Sequence, residues 1–163
     1  MGRLPVGRSH LMLWHRPTVR SCRILKQKGV TMIITAQAKR ESPQDIRKMC
    51  TDLGMKHFWI ELNGANEALM NDKAVLKYLR KRVRELMKIL REGEETALIH
   101  CAAGIHRTGS LGYTLLRLMS PEPMSKEQAY AALKTLREDT HKGVGDWRVD
   151  VAERYLVTHI MED

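Results

Sequence analysis

The chain has 163 residues, which suffices for one domain with a single hydrophobic core and is too short for two ordinary domains. A hydrophobic share of 43%, with 11 glycines and 5 prolines, excludes a disordered chain and a fibrous repeat. The formal net charge of +9 favours an anionic partner such as a phosphorylated protein, an acidic lipid or a nucleic acid. We therefore expect one domain over residues 1–163, in which residues 1–9 form a flexible N-terminal tail.

The three cysteines, Cys22, Cys50 and Cys101, are far apart and form no Cys-x-x-Cys pair. Their spacing argues against a disulfide framework and a structural zinc site, and favours a reducing compartment. The N-terminus lacks a signal-peptide core, and no run approaches the ~18 apolar residues that cross a bilayer. We expect a cytoplasmic protein, with the nucleus as the alternative location, and we predict no metal site and no cofactor.

The first half of the chain predicts short buried strands that alternate with helices. Gly29 fits the C-terminal cap of the first helix, while Ser42 fits the N-terminal cap of the second, which ends before Gly54. Runs rich in β-branched residues, and an alternating apolar run, indicate the strands. The predicted elements are strands at 10–15, 30–35 and 56–62 and helices at 18–28 and 43–53.

The second half predicts a long basic helix, one buried strand and three further helices. In the long helix, apolar residues keep the helical period and basic residues lie opposite. We interpret the basic residues within 73–91 as a solvated face, with an acidic lipid or nucleic acid bound there as the alternative. The predicted elements are helices at 72–91, 107–119, 125–136 and 146–160 and a strand at 96–100. Strands that alternate with helices predict an α/β fold with a mainly parallel sheet.

A buried strand, a short loop and a helix follow one another in ALIHCAAGIHRTGSLG, residues 97–112. The helix N-terminus points unpaired N–H groups and the positive end of its dipole at the loop, so the loop favours an anion such as phosphate. The same field stabilises a thiolate at Cys101. Small residues let the backbone curl around an oxyanion, and Gly104 can take a positive φ at little cost. Arg107 opens the helix, where its planar guanidinium can bind two phosphate oxygens.

These residues together describe attack by a cysteine sulfur on phosphorus, through a covalent cysteinyl phosphate. Thr108 can donate its hydroxyl to the sulfur when water later splits the intermediate. His106 has two interpretations, a phosphate contact or an exposed residue, and we favour the second. The predicted phosphate-binding residues are Ala102, Ala103, Gly104, Ile105, His106 and Arg107.

The stretch HCAAGIHRTG, residues 100–109, resembles the His-Cys-x5-Arg-Ser/Thr-Gly signature of the cysteine-dependent protein tyrosine phosphatases. The length and the order of elements are similar to the small dual-specificity branch over residues 11–160, although only the loop matches at motif level. The resemblance implies a central four- to five-stranded, mostly parallel sheet flanked by helices. It also implies phosphomonoester hydrolysis without a metal, and a supporting histidine, here His100, that hydrogen bonds to the loop.

The resemblance further implies a general acid, an aspartate that lies just after a strand and about thirty residues before the cysteine. Residues 61–67 read ELNGANE at that place and contain no aspartate. Asp72 is the first candidate acid, and Glu67 and Asp146 are the alternatives. Asp72 and Asp146 are also well placed to cap helices. A poor acid slows alkyl phosphoesters more than aryl ones, because a phenol leaves with less help, so phosphotyrosine fits better than phosphoserine.

We predict a metal-independent phosphatase of the tyrosine or dual-specificity type that acts on phosphoproteins. A phosphoinositide or an RNA 5′-phosphate is the alternative substrate because of the net charge, although the loop has none of the lysines that lipid relatives tend to carry. From another class, the alternative is a phosphate-binding adaptor with little turnover, motivated by the missing aspartate. The intact Cys101, Arg107 and Thr108 argue against an adaptor, because a binder needs no nucleophile.

Overall fold

The computed structural model describes residues 2–162; Met1 and Asp163, the two ends of the predicted domain, lie outside the described residues. The strands are β1 (Leu4–Val6), β2 (Ser9–Trp14), β3 (Met32–Gln37), β4 (Lys56–Glu61) and β5 (Thr96–His100). The helices are α1 (Val19–Gln27), α2 (Pro43–Leu53), α3 (Glu67–Met70), α4 (Lys73–Glu92), α5 (His106–Met119), α6 (Lys126–Leu136), α7 (Glu138–Val144), α8 (Asp146–Ala152) and α9 (Thr158–Glu162). A 3₁₀ turn at Lys39–Glu41 follows β3, and a π-helical segment at Glu153–Val157 joins α8 to α9.

The strands form one five-stranded sheet in the order β1-β2-β5-β3-β4. The β1–β2 pair is antiparallel, and the other neighbours are parallel. In the middle of the sheet, Ile99 of β5 pairs with Leu13 on one side and with Ile34 on the other. A mostly parallel sheet flanked by helices confirms the predicted α/β fold class.

The sheet is covered on both faces, because successive side chains of its buried strands point to opposite sides. On one face, Ile34 and Ile99 belong to the larger core. On the other face, Ile33 and Leu98 pack in a smaller core with Cys50 of α2. Burial raises the pKa of the Cys50 thiol to about 12, so this cysteine is a core residue, as its helical position predicts.

The start of α2 differs from the prediction. Pro43 occupies the first turn as expected, but Ser42 has a φ of 57° and its side chain makes no capping hydrogen bond. The reason is the preceding 3₁₀ turn, which the sequence pattern does not reveal. Ser42 ends that turn, its N–H donating to the carbonyl of Lys39, and this bond fixes its left-handed conformation.

Two short helices, α3 and α7, lie outside the predicted elements. They have 4 and 7 residues, too few for a helical period to be visible in the sequence. The last predicted helix is continuous over α8, the π-helical segment and α9, and its predicted inward residues are all buried: Val149, Ala152, Leu156 and Ile160. No helix within residues 2–162 combines the length and the apolar character that a membrane crossing requires.

The segment predicted as a flexible tail, residues 1–9, is ordered from β1 onward. Val6 in β1 is fully buried, and Ser9 at the start of β2 donates its hydroxyl to the carbonyl of Leu90, at 2.8 Å. Gly7, with a φ of 59°, makes the turn between the two strands. A strand of three residues is too short to alternate visibly, which is why the sequence pattern misses it.

We expect Val6→Ala to lower the free energy of unfolding by about 2 kcal/mol, because it removes methyl groups from the core. Chemical denaturation measures this change, and the exposed neighbour Pro5 provides the control variant Pro5→Ala. A flexible tail would instead give a change within about 0.5 kcal/mol for both variants.

Candidate active site

The predicted loop, residues 101–105, lies at the carboxyl end of the sheet. It connects β5, which ends at His100, to α5, which begins at His106. His100 pairs with Trp14 of β2 and with Thr35 of β3, so the ends of both neighbouring strands flank the loop. Ligands of parallel sheets bind at this edge.

Three consecutive carbonyl groups of the loop, those of residues 102–104, are bound from outside. Arg16 donates its backbone N–H to the first, at 3.0 Å. Arg137 donates from Nη1 to the second and third, at 3.0 and 2.9 Å, and the Thr140 hydroxyl donates to the third, at 2.6 Å. A trans peptide holds its C=O and N–H on opposite sides, so the N–H groups of residues 103–105 face the inside of the loop. They form the cradle that an oxyanion requires.

The tight curl of the loop requires a glycine at position 104. Gly104 has a φ of 72°, a conformation that other residues rarely adopt. A Cβ atom there would lie 2.1 Å from the carbonyl oxygen of Trp14. The loop therefore packs directly on the backbone at the end of β2.

Cys101 lies at the base of this loop, with only 3% of its surface exposed. The hydroxyl of Thr108, in the first turn of α5, donates to Cys101 Sγ at 3.1 Å. A hydroxyl donated to sulfur stabilises negative charge on it. The two residues thus have the geometry of a nucleophile and of a group that assists its departure.

Arg107 is held by its outer edge. Its Nη1 and Nη2 donate to the two carboxylate oxygens of Glu41, at 2.5 and 2.8 Å, and Nη1 also donates to the carbonyl of Leu62, at 3.0 Å. A guanidinium has five N–H groups, so the edge formed by Nε and the second N–H of Nη2 is left for a ligand. That edge can make two parallel hydrogen bonds to a phosphate.

Glu41 fixes this orientation. It ends the 3₁₀ turn after β3, and its carboxylate also accepts the backbone N–H of Ala38, at 2.7 Å. The hydrogen bond from Arg107 lowers the pKa of Glu41 to about 2. Glu41 therefore remains ionised at every pH at which Arg107 would bind a phosphate dianion.

A buried hydrogen-bond chain supports the loop from below. His100 Nδ1 lies 2.9 Å from the carbonyl oxygen of Cys101, its Nε2 lies 2.8 Å from the Thr35 hydroxyl, and that hydroxyl lies 2.8 Å from Nε2 of His57. Because a carbonyl only accepts, Nδ1 of His100 carries a hydrogen, Thr35 donates to His100, and His57 donates to Thr35. Burial lowers the pKa of each histidine to about 4, so both are neutral at pH 7.

Asp72, the first candidate acid, caps α4. Its Oδ1 accepts the backbone N–H groups of Ala74 and Val75, at 2.9 and 3.2 Å. These bonds aim the carboxylate at the N-terminus of its own helix, which is the capping role that the sequence also allows. Asp72 therefore caps α4, and its role as the general acid stays a prediction.

The alternative acids, Glu67 and Asp146, are also engaged elsewhere. Glu67 pairs with Arg154 at 3.2 Å and accepts the Tyr155 hydroxyl at 2.9 Å, and the bonds from these two side chains lower its pKa. Asp146 begins α8 and lines the same cavity as Tyr130, whose pKa is raised by burial and then by Asp146. A carboxylate that is held ionised by a cation, as Glu67 is by Arg154, is a poor proton donor.

A cleft of about 260 Å³ opens beside Arg107. It is lined by Asn63, Gly64, Ala65, Asn66, His106, Arg107, Trp147 and Arg148. His106 is exposed, the interpretation that the sequence favours. No carboxylate is among the lining residues, and the loop after β4 contributes only amides where the resemblance implies an aspartate.

The structure thus brings Cys101, Arg107, Thr108 and His100 together, whereas none of the three candidate acids is among the residues that line the cleft. Sequence reasoning missed the residues that hold this arrangement: Arg16, Thr35, Glu41, Arg137 and Thr140. Each is a single polar residue in another part of the chain, and no local motif indicates its role. Within the described residues, no group of three or more His, Cys, Asp or Glu side chains is arranged to hold a metal ion.

His100, which is buried, and His57, which is half-buried, predict a pH-dependent stability. Their pKa is about 4 when folded and about 6.5 when unfolded. The stability they contribute is therefore complete above about pH 6.5 and is lost as the pH falls toward 4, since the unfolded chain binds more protons. We expect Tm to fall across this range, and His57→Gln, which keeps a donor toward Thr35, to fall less steeply. The exposed His10 gives the control His10→Gln, and equal slopes for all three proteins would contradict the assignment.

Comparisons with known proteins agree with this geometry. A family model described as "Dual specificity phosphatase, catalytic domain" matches residues 11–149. Among solved structures, PTPMT1 has 17% identity and a TM-score of 0.67, covering 98% of this chain and 96% of that chain. The PP-IP phosphatase Siw14 from S. cerevisiae, in complex with citrate, has 18% identity and a TM-score of 0.62, covering 99% and 93%. A variant of TpbA from P. aeruginosa in complex with pTyr has 18% identity and a TM-score of 0.57, covering 93% and 82%.

None of the curated proteins matches the chain. At the identities found, the solved structures establish the fold alone. The family model, in contrast, spans most of the chain and includes both Cys101 and Arg107. The chain belongs to the dual specificity phosphatase family, within the superfamily of cysteine-dependent protein tyrosine phosphatases.

Proposed function

We propose that the chain is a metal-independent phosphomonoester hydrolase that acts through a cysteinyl phosphate, first on phosphotyrosine in proteins and, as a dual-specificity enzyme, on other phosphorylated side chains. One observation carries the proposal. Glu41 holds the outer edge of Arg107 and leaves its other edge for a ligand, in a site whose sulfur receives the hydroxyl of Thr108. A guanidinium edge, inward N–H groups and a sulfur nucleophile suit a phosphate dianion.

The reaction proceeds in two displacements. The Cys101 thiolate attacks phosphorus, and the phosphorus–oxygen bond of the ester breaks with its electron pair on the leaving oxygen. Water then attacks phosphorus, the sulfur–phosphorus bond breaks with its electron pair on sulfur, and a proton of the water goes to solvent. Thr108, whose hydroxyl is 3.1 Å from Sγ, donates to the sulfur as it leaves. The loop N–H groups and Arg107 stabilise the charge on the equatorial oxygens in both steps.

The lining of the cleft supports an aryl substrate. Without a carboxylate to protonate the leaving oxygen, a phenol with a pKa of about 10 departs more readily than an alcohol. The structure of the TpbA variant with pTyr gives an example of a structural neighbour that binds this group. The proposed partner is therefore a phosphorylated protein.

A phosphoinositide and an RNA 5′-phosphate are the alternative substrates. A phosphoinositide or an RNA 5′-phosphate would use the net charge and the basic residues within 73–91, whereas the absence of lysines from the loop argues against the lipid.

We propose one domain over 1–163 and a cytoplasmic location, with the nucleus as the alternative, on the grounds of chain length and cysteine usage.

The adaptor alternative is tested by Cys101→Ser. We expect the wild type to hydrolyse para-nitrophenyl phosphate and the variant to lose on the order of 10⁴-fold or more in kcat, because the nucleophile is removed. Cys22→Ser provides a control that removes a thiol from α1. No turnover by either protein, with retained binding of a phosphotyrosine peptide, would favour the adaptor.

The role of Glu41 is tested by Glu41→Gln. We expect kcat/KM for para-nitrophenyl phosphate to fall about 10- to 100-fold, because the amide no longer fixes the edge of Arg107 that receives phosphate. Asp52→Asn is the control, since it removes an exposed carboxylate from α2. An undiminished kcat/KM in Glu41→Gln would show that Arg107 is oriented without this pair.

A further inference from the structure

The exposed face of α4 carries a row of cations. Six of the eight exposed residues of this helix are lysine or arginine, and they recur every three or four positions. With about 100° and 1.5 Å per residue, the six cations lie within an arc of about 80° and extend over about 27 Å along the helix axis. We call these six residues the basic stripe: Lys73, Lys77, Lys81, Arg84, Lys88 and Arg91.

The charge of the basic stripe is not neutralised by the helix itself. The opposite face of α4 packs in the larger core, so the stripe stays turned to solvent. Glu85, the acid inside the helix, pairs at 2.5 Å with Arg82, which lies outside the stripe. Like charges three or four positions apart repel each other and destabilise a helix, and an external anionic partner would relieve that repulsion. Within residues 2–162, five stripe residues pair with no carboxylate: Lys73, Lys77, Lys81, Lys88 and Arg91.

The basic stripe offers charge alone. Tyr78, the aromatic residue of α4, is half-buried, and its hydroxyl accepts the backbone N–H of Glu61 at 2.9 Å. The large apolar side chains that are exposed within residues 2–162 all belong to other elements. Without aromatic rings the stripe cannot stack nucleobases, and without exposed apolar side chains it cannot insert into hydrocarbon. A suitable partner therefore presents dense negative charge at its surface.

The straight course of the basic stripe favours a flat partner. The backbones of a nucleic-acid duplex wind once around their axis in about 34 Å, so a straight row of about 27 Å follows neither backbone over its full length. An acidic bilayer presents its headgroups in a plane, where all six cations can approach the surface together. Four of the six are lysines, whose flexible point charges suit a diffuse anionic layer. Clusters of four to eight basic residues on an amphipathic helix are typical of proteins that bind acidic lipids.

We propose that the basic stripe of α4 binds the protein to the surface of membranes that contain acidic phospholipids, without insertion into the hydrocarbon. The inference does not depend on the proposed function, because no residue of the stripe belongs to the candidate active site. In chain order α4 leads from the end of β4 to the start of β5, so it runs along the strands from one edge of the sheet to the other. A membrane along α4 therefore leaves the loop of residues 101–105, at the carboxyl edge, uncovered.

Sedimentation with lipid vesicles tests the inference. At an ionic strength of about 0.15 M, we expect the wild type to bind vesicles of phosphatidylcholine with about 30% phosphatidylserine and not vesicles of phosphatidylcholine alone. Each cation near such a surface strengthens binding about 5-fold, so the loss of four should weaken it on the order of 100-fold. Binding should also be lost in about 1 M salt, where the screening length is about 3 Å. The stripe variant combines Lys73→Gln, Lys77→Gln, Lys81→Gln and Lys88→Gln.

Two controls separate the position of the charges from their number. The first removes four exposed cations on and beside α1 and α2, which pack on the other face of the sheet, and so has the same net charge as the stripe variant. It should retain binding, because those cations lie further from the membrane than the screening length of about 8 Å. The second replaces the four stripe lysines by arginine, which keeps both charge and binding, and Tm identifies any folding defect. The first control combines Arg20→Gln, Arg23→Gln, Lys28→Gln and Arg47→Gln.

Three outcomes would overturn the inference. The first is that the wild type binds neither kind of vesicle, or binds both equally. The second is an equal loss of binding in the stripe variant and in its charge-matched control, which assigns the effect to net charge. The third is that the stripe variant loses binding to an RNA duplex of about 20 base pairs while its vesicle binding is unchanged, which assigns the stripe to nucleic acid. Each leaves the hydrolysis of para-nitrophenyl phosphate, and with it the proposed function, untouched.

Discussion

The outward direction of three loop carbonyls is the constraint on which the site depends. A peptide group cannot turn its C=O away from the loop without turning the next N–H inward, so the donors behind the loop determine what its inside can bind. Arg137, between α6 and α7, and Thr140, within α7, supply those donors, and Arg16 supplies one from the segment after β2. The site is therefore formed by three parts of the chain that meet at one edge of the sheet.

Two guanidinium groups determine the charge around the site. That of Arg107 is neutralised by a carboxylate, and that of Arg148 is exposed to the cleft. The carboxylate of Glu41 neutralises Arg107 and leaves the ligand-binding edge of the guanidinium free. The pairing lowers the free-energy cost of burying the cation, and the guanidinium can still bind a phosphate. Arg148 donates to a carbonyl and lies beside an aromatic ring, and within residues 2–162 it pairs with no carboxylate. The potential inside the cleft is thus positive beyond the loop itself, and the net charge of +9 extends the attraction for anions to longer range.

The part of the site that is predictable from sequence is the part with a local signal. A buried strand, small residues and an arginine at the helix start lie within about a dozen positions, so the position of Cys101 and the anion-binding loop follow from elementary helix electrostatics. Glu41 lies 66 positions from Arg107, and nothing in its neighbourhood indicates that pairing. Chain distance favours Asp72 as the acid, but it contains no information on the direction of a side chain. The strand β1 was missed for another reason, since three residues cannot display an alternation.

The hydrogen-bonded partners of the site, Glu41 with Arg107 and Ala103 with Arg137, are far apart along the chain, and this separation affects synthesis and refolding. Hydrogen bonds that span 66 and 34 positions require the intervening helices and strands to pack together first, and such non-local contacts form slowly. A nascent chain that ends before Arg137 already contains the whole signature motif, yet lacks two of the donors that turn the loop carbonyls outward. The recovery of turnover after dilution from denaturant therefore measures when the native topology is complete. Secondary-structure signals are expected to recover earlier.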